Sequence, residues 1–364
     1  RLEQYRKCPF AFHMKYGLKL LEEDQFKIRA LDTGNFMHEV IDEVFNKIED
    51  KDLNIKEVTK EELFNIVSEI INKKLGMSKN YIFSSTPKFV VLTKRLKKVI
   101  YQSMDYIIEQ LKNSKFELYG HELEFSEKSE FKPMKLELDN GNNVVVTGKI
   151  DRVDIAKVDD KRYVRIIDYK SSVRDVDLNQ IVAGIQIQLL TYLDEMSEQK
   201  DFESSGVLYF NLLDTIVKAS KNMTDEEIKK QLNKKFRMKG LVIADLDIVK
   251  MMDSRISPSN YSESVPVYLD KDGNISKSKS NVLEKEQFDR LQKYTKYVIK
   301  EISKEIFSGK IDIKPYYMNK KTSCEYCEYK SICNFDPKFK DNNYRYIKNY
   351  SKDYIMEEIL KSNN

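Results

Sequence analysis

The sequence predicts an α/β chain, a central mixed sheet flanked by helices, with an added helical layer ahead of the sheet. Two apolar, β-branched runs at residues 144–155 and 163–169, joined by the charged stretch 157–162, read as a β-hairpin. A helix-spaced stretch at 181–196 and a further apolar run at 206–213 complete a strand-strand-helix-strand order. Residues 58–113 repeat apolar positions at helical spacing and supply the extra layer.

Composition narrows the class. At 364 residues the chain suits one large domain or two ordinary ones. A hydrophobic fraction of 41% suffices for a core, and 34% charged residues provide a polar surface. No apolar run approaches the roughly 18 residues that cross a bilayer. No charged-then-apolar leader opens the chain. It starts at Arg1 without a methionine and already inside a predicted helix, as expected of a fragment of something longer. A net charge of +4 does not by itself indicate nucleic acid at this length. Gly148-Lys149 is followed by Ile150 and lacks the upstream glycine of a phosphate-binding loop, so P-loop ATP hydrolysis is excluded for this chain.

In chain order, a first helix is expected over 2–16, carrying Cys8 and Pro9. A second begins near Thr33 as its cap, with Phe36, Val40, Ile41, Val44, Phe45 and Ile48 as its apolar stripe. His38 lies on it and, taken alone, reads as an ordinary core or surface histidine. Residues 58–113 form two helices split at Ser84-Ser85-Thr86-Pro87, and Lys94, Lys97 and Lys98 read as a solvated face. Strands follow at 116–126 and 134–139, the latter turning at Asp139-Asn140-Gly141-Asn142. Gly148 predicts a bulge or a close approach. Gln188 and Tyr192, four residues apart, share one helix face. Beyond 213 come a charged helix at 225–236, a break at Lys239-Gly240, a segment at 241–252 and a long helix at 284–307. Asp270-Lys271-Asp272-Gly273-Asn274 has its glycine two places early for a calcium loop and lacks the closing glutamate, so it is a turn. The tail after Phe335 is rich in Tyr and Asn and is expected to be partly ordered.

The chemistry concentrates in the hairpin. Its second strand, Val164-Arg165-Ile166-Ile167, is nearly continuous in apolar residues, as for a strand buried on both faces. It ends in Asp168-Tyr169-Lys170, and strand alternation puts Asp168 and Lys170 on one face. Asp151, on the first strand, can lie beside them. A surface ion pair at a strand end is the plain reading of D-x-K. Two carboxylates meeting beside an ammonium point instead to a metal-dependent phosphodiesterase site, because hard cations such as Mg²⁺ take oxygen ligands and a lysine can stabilise developing charge.

The four cysteines form a second constellation. Cys324-x2-Cys327-x5-Cys333 is a tight cluster, and in a chain without a secretory leader it favours metal over disulfides. Cys8 is the remaining cysteine and the candidate fourth ligand. Zinc and an iron–sulfur cluster both suit four thiolates, and spacing does not choose between them.

The order Gly148-x-x-Asp151-Arg152, a short gap, then an apolar strand ending Asp168-Tyr169-Lys170, resembles the PD-(D/E)XK nuclease superfamily in its RecB-like branch. Tyr5-x-x-Cys8-Pro9 at the start and the cysteine cluster at the end resemble the frame of the nuclease domain in the AddB family. The resemblance covers about 2–336. It implies a restriction-endonuclease-like core whose termini are joined by an iron–sulfur clamp, a [4Fe–4S] cluster on Cys8, Cys324, Cys327 and Cys333. It also makes Gly34-x-x-x-His38 the source of a metal-ligating histidine. Asp151, Asp168, His38 and the Tyr169 main-chain carbonyl would hold Mg²⁺ or Mn²⁺, with Lys170 as the catalytic ammonium. Gln188-x-x-x-Tyr192 matches a motif lining the DNA side, where Arg152 is also placed. Glu122 takes the place of a glutamate on the preceding strand and is given an outer role only.

By the same resemblance the chain is one nuclease domain over 1–364. It divides into a helical part (1–115), the catalytic core (116–213), an insertion of unassigned role (214–283), the last helix and cysteines (284–337) and a tail (338–364). The implied activity is a cytoplasmic, Mg²⁺-dependent exonuclease acting on DNA. It would belong to a bacterial helicase–nuclease with an AddA-type partner subunit, resecting double-strand breaks for recombinational repair and degrading the 5′-ended strand. Two rivals are weighed: a catalytically inactive DNA-binding scaffold of the same complex, and a stand-alone nuclease with a zinc clamp. An intact set of His38, Asp151, Asp168 and Lys170 argues against the scaffold.

Overall fold

The computed structural model describes all residues except 21–27, 29, 140, 215–222 and 361–364. The chain opens with α1 (Leu2–Lys7) and α2 (Pro9–Phe12) followed by a π-type turn at His13–Gly17, not with one continuous helix. Cys8 is extended between them, at φ −167° and ψ 116°. The following Pro9 disfavours helical backbone at Cys8, so the proline that begins α2 also ends α1. Then comes α3 (Ala30–Asp50), which starts upstream of Thr33 and so leaves Thr33 within its first turns, not at its cap.

The two helices expected over 58–113 are present, as α4 (Lys60–Leu75) and α5 (Pro87–Lys112). A capping box of Thr59 and Glu62 opens α4. Thr86 accepts from the Phe89 amide at the start of α5, and Pro87 occupies a first-turn position where its missing N–H costs nothing.

The strands are β1 (Glu117–Phe125), β2 (Met134–Glu137), β3 (Asn143–Val146), β4 (Gly148–Val158) and β5 (Lys161–Lys170). After α6 (Leu178–Val182) and α7 (Gln188–Lys200) come β6 (Glu203–Asn211), α8 (Asp225–Phe236), β7 (Lys239–Ile243), α9 (Leu246–Met252) and β8 (Val282–Leu283). The central sheet runs β1-β4-β5-β6-β7-β8. Its β5–β6 and β7–β8 pairs are parallel and the others antiparallel. The expected mixed sheet is therefore present, and the segment of unassigned role contributes two of its strands.

Two further expected elements divide, and one expected break does not interrupt its strand. The run at 144–155 splits into β3, which pairs with β2 in a separate ribbon, and β4 in the main sheet. Gly148 starts β4 because a Cβ there would collide with the Tyr192 hydroxyl, the close approach its sequence context suggested. The helix at 181–196 breaks at Gly184, φ +77°, where a Cβ would lie 2.9 Å from Arg6 Cγ. Gly240, read as a break, lies inside β7 because at φ +151° the backbone packs against Val207 too closely for any Cβ. The turn before β3 includes Asn140, which lies outside the described residues, and closes with Leu138 N–H donating to Asn142 O at 2.8 Å.

Helices cover both faces of the sheet. Ile167 and Tyr169 of β5 join an apolar cluster with α3, α4 and α5. Val164 and Ile166, pointing the other way, join one with α7 and α10 (Lys285–Phe307). All four residues Val164–Ile167 are fully buried, as the sequence of β5 predicts. Beyond α10, the strands β9 (Tyr316–Met318) and β10 (Lys321–Thr322), the short α11 (Lys330–Cys333) and β11 (Arg345–Tyr346) form a small sheet and its cover. The start of the chain docks here. Ser323 Oγ donates to Lys7 O at 3.0 Å, Phe10 N–H to Asp312 O at 3.2 Å and Tyr5 to Lys310 O at 3.0 Å. Among the described residues no helix is long and apolar enough to cross a membrane.

Candidate active site

Arg152 of β4 pairs with Ile167 of β5, so Asp151 stands opposite Asp168 at the end of the hairpin. Asp168 is 5% exposed and ion-paired through Oδ2 with Lys170 Nζ. Lys170 leans over the Tyr209 ring of β6, 5.8 Å from its centre. The Tyr169 amide between them donates to Asp151 Oδ2 at 2.8 Å. From α3, His38 brings Nδ1 to 3.3 Å from the same oxygen, and its ring meets Tyr169 edge-on at 6.0 Å. His38, Asp151 and Lys170, which lie far apart in sequence, thus line one cleft of about 660 Å³, with Asp168 buried behind it and ion-paired with Lys170.

The donor set leaves charge in this cleft uncompensated. Burial and the facing Asp151 carboxylate push the Asp168 carboxyl up to about 6, although Lys170 pulls it down. Burial works against the His38 imidazolium, but its hydrogen bond to Asp151 and the nearby charges of Asp151 and Asp168 together outweigh that and raise its pKa. Two carboxylates that disfavour each other, with an imidazole beside them, are an arrangement that a bound cation would relieve.

Glu122 comes closer than its outer assignment suggested. His38, Glu122 and Asp151 each offer a ligand atom within 4.8 Å of the others. Glu122 reaches in from β1 with φ +50°, a left-handed backbone that costs a non-glycine residue about 1–3 kcal/mol. Its carboxylate pairs with Lys149 Nζ on β4.

The expected DNA-side residues separate into two kinds. Tyr192 is buried, stacked on Phe125 at 5.8 Å, and its hydroxyl accepts from the Lys149 amide and from Gln188 Nε2, both at 3.2 Å. It therefore braces β4 just before Asp151. Gln188 is exposed and lines an adjoining cavity of about 500 Å³ with Tyr192 and residues of β3. Arg152 requires a correction. It is fully buried, with Nε and Nη2 each 2.7 Å from Asp154, and cannot reach DNA. The D-R-V-D spacing carried the signal, because it puts Arg152 and Asp154 on one strand face and Asp151 on the other.

The cysteines do not line this cleft. Cys8 and Cys327 share a small apolar cluster with Met14 and Tyr329. Burial raises the Cys8 thiol pKa and Cys324 adds to it, while Cys324 is raised by burial and by Cys327 and Cys333. Among the described residues no cysteine joins a group of ligand atoms within 4.8 Å of one another, so the clamp itself is not shown.

A model of the PD-(D/E)XK nuclease superfamily matches residues 1–334. The B-type subunit of the ATP-dependent helicase/deoxyribonuclease of Thermoanaerobacter sp. (strain X514) is 38% identical over 369 residues, covering 100% of this chain and 32% of that protein. Proteins of the same name from Clostridium perfringens (strain SM101 / Type A) and Clostridium tetani (strain Massachusetts / E88) are each 37% identical over 365 residues. Each alignment covers 99% of this chain, with 31% and 32% of the relative. The chain spans about a third of the length of these curated relatives.

Proposed function

The chain belongs to the PD-(D/E)XK nuclease superfamily, and from that premise we propose that it is the metal-dependent DNA exonuclease domain of a cytoplasmic bacterial helicase–nuclease, acting with an AddA-type motor subunit. The observation that carries this reading is the convergence of His38, Asp151, Asp168 and Lys170 at the end of a buried strand. Its substrate would be DNA at double-strand breaks, with the 5′-ended strand degraded in preparation for recombinational repair. The relatives' name, which makes them one subunit of a helicase/deoxyribonuclease, supports the class of partner and substrate.

His38, Asp151, Asp168 and the Tyr169 carbonyl would hold Mg²⁺ or Mn²⁺, and Glu122 is close enough to join them. Such an ion lowers the pKa of a bound water and neutralises the scissile phosphate. Lys170, held by Asp168, orients the attacking water and stabilises charge on the phosphate oxygens as it develops. Tyr169 fixes Asp151 through its amide. Tyr192 fixes the start of β4, and Gln188 beside it guides the strand. Water attack with departure of the 3′ oxygen leaves a 5′-phosphate and a 3′-hydroxyl.

Cys8, Cys324, Cys327 and Cys333 would carry a [4Fe–4S] cluster, whose loss frees both ends of the domain. A cluster bridging Cys8 to Cys324 closes a loop of about 315 residues. The hydrogen bonds joining α1 and α2 to the segment after α10 support this role, because they dock the stretch that carries Cys8 on the segment that carries Cys324. The test is degradation of a duplex labelled on either strand by the full-length protein with its motor subunit. Shortening of the 5′-ended strand is expected, and its loss on Asp168→Ala. A wild-type complex that binds the duplex yet shortens neither strand would favour the inactive scaffold.

A further inference from the structure

Behind the catalytic hairpin lies a buried ionic cluster that the cleavage chemistry does not use. Asp154 accepts two bonds from Arg152 at 2.7 Å and two from Arg165 at 2.9 and 2.8 Å. All three residues are fully buried, and Arg165 also stacks over Phe116 at 4.7 Å. One carboxylate between two guanidiniums leaves a net positive charge inside the protein. For stability alone, three apolar side chains of the same size would serve as well or better.

Its placement suggests another use. Arg152 follows Asp151 on β4, and Tyr169 follows Asp168 on β5. Both point to the side of the hairpin away from Lys170. Arg152 Nη1 and the Tyr169 hydroxyl are each buried without a hydrogen-bond partner, and because Arg152 pairs with Ile167, Tyr169 is its diagonal neighbour on that face. Buried polar atoms in that state call for an explanation. The other end of Tyr169, its amide, grips Asp151 Oδ2 at 2.8 Å. The Tyr169 side chain thus lies beside the Arg152–Asp154 pair, while its amide holds the oxygen that also faces His38.

We propose that Arg152, held by Asp154, is a positioning residue for the metal site: it anchors the Tyr169 side chain and through the Tyr169 peptide fixes the Asp151 carboxylate. The role rests on the nuclease reading above. Groups standing behind metal ligands typically change metal affinity by about 10–100-fold when removed.

The test is Mn²⁺ binding by calorimetric titration of the full-length protein without DNA. Arg152→Met keeps the side chain's length and leaves Asp154 in a neutral pair with Arg165. Tyr169→Phe removes only the hydroxyl. Both are expected to weaken Mn²⁺ binding by about tenfold or more, and Tyr169→Phe to do so with its unfolding temperature nearly unchanged. A purely structural cluster would lower the unfolding temperature and leave Mn²⁺ affinity alone. If Arg152→Met fails to fold, Tyr169→Phe decides the matter. Wild-type affinity in folded Tyr169→Phe overturns the proposal. Asp151→Ala separates the two claims. Unchanged Mn²⁺ binding there removes the metal site and the positioning role with it, whereas lost binding there with full binding in the other variants removes the positioning role alone.

Discussion

Replacing Asp168 by asparagine should stabilise the metal-free protein while abolishing its response to metal. Burial and the opposed Asp151 raise the Asp168 carboxyl from 3.8 to about 6. A group whose folded pKa lies above its unfolded value contributes stability below the unfolded pKa and loses it as pH rises through the folded one. Near pH 8 the ionised carboxylate therefore costs the fold up to about 3 kcal/mol relative to its protonated form. The neutral amide would remove that cost, though Lys170, partly exposed, loses its partner and returns some of it. A net gain of about 1–2 kcal/mol is expected. Urea unfolding in EDTA measures it, at about pH 8 and again at about pH 4, where the gain should vanish. Added Mg²⁺ should reverse the order at the higher pH, since only the wild type is stabilised by binding. A variant less stable than wild type in EDTA at about pH 8, or one stabilised equally by Mg²⁺, would refute this electrostatic description of the site.

Lys170→Ala should reduce single-turnover cleavage by about 10²-fold or more while sparing DNA affinity measured in Ca²⁺. Lost affinity with an unchanged saturated rate would make Lys170 a phosphate anchor. Gln188→Ala, exposed beside the cleft, should weaken DNA binding and change the saturated rate less, and a titration of rate against DNA concentration separates the two effects. Cys8→Ala should lose iron and its brown colour and admit protease at both ends of the chain; full iron content and protease resistance would exclude Cys8 as a ligand.

The catalytic core was legible because its signals are local. The nearly continuous apolar run at 164–167 marks β5 as buried on both faces, and strand alternation places Asp168 and Lys170 together whatever surrounds them. His38 was not legible from its own helix; only the spacing from Gly34, read through family resemblance, brought it to Asp151. The breaks at Thr147 and Gly184, and the continuity of β7 through Gly240, follow from tertiary contacts, such as the Tyr192 hydroxyl against Gly148 and the Val207 carbonyl against Gly240, which no single-strand pattern contains. Cys8 is the exception, since Pro9 after it already announces the end of α1. Arg152 shows the cost of reading charge as exposure. A guanidinium beside a catalytic carboxylate suggests DNA, but the alternation that puts Asp151 in the cleft puts Arg152 in the core, with Asp154 there to receive it. Glu122 was placed on the right strand with an outer role; its left-handed backbone and its ligand atom within 4.8 Å of those of His38 and Asp151 are not readable from the strand pattern.

The central claim is that the four converging residues make a metal-dependent nuclease. Cleavage of an end-labelled duplex by the full-length protein with its motor subunit, under single-turnover conditions, tests it most directly. The arms are wild type in Mg²⁺, wild type in EDTA, and Asp168→Ala in Mg²⁺. Cleavage in the first arm alone, with 5′-phosphate products, is the expected result. Equal cleavage by Asp168→Ala, or cleavage that persists in EDTA, would contradict it.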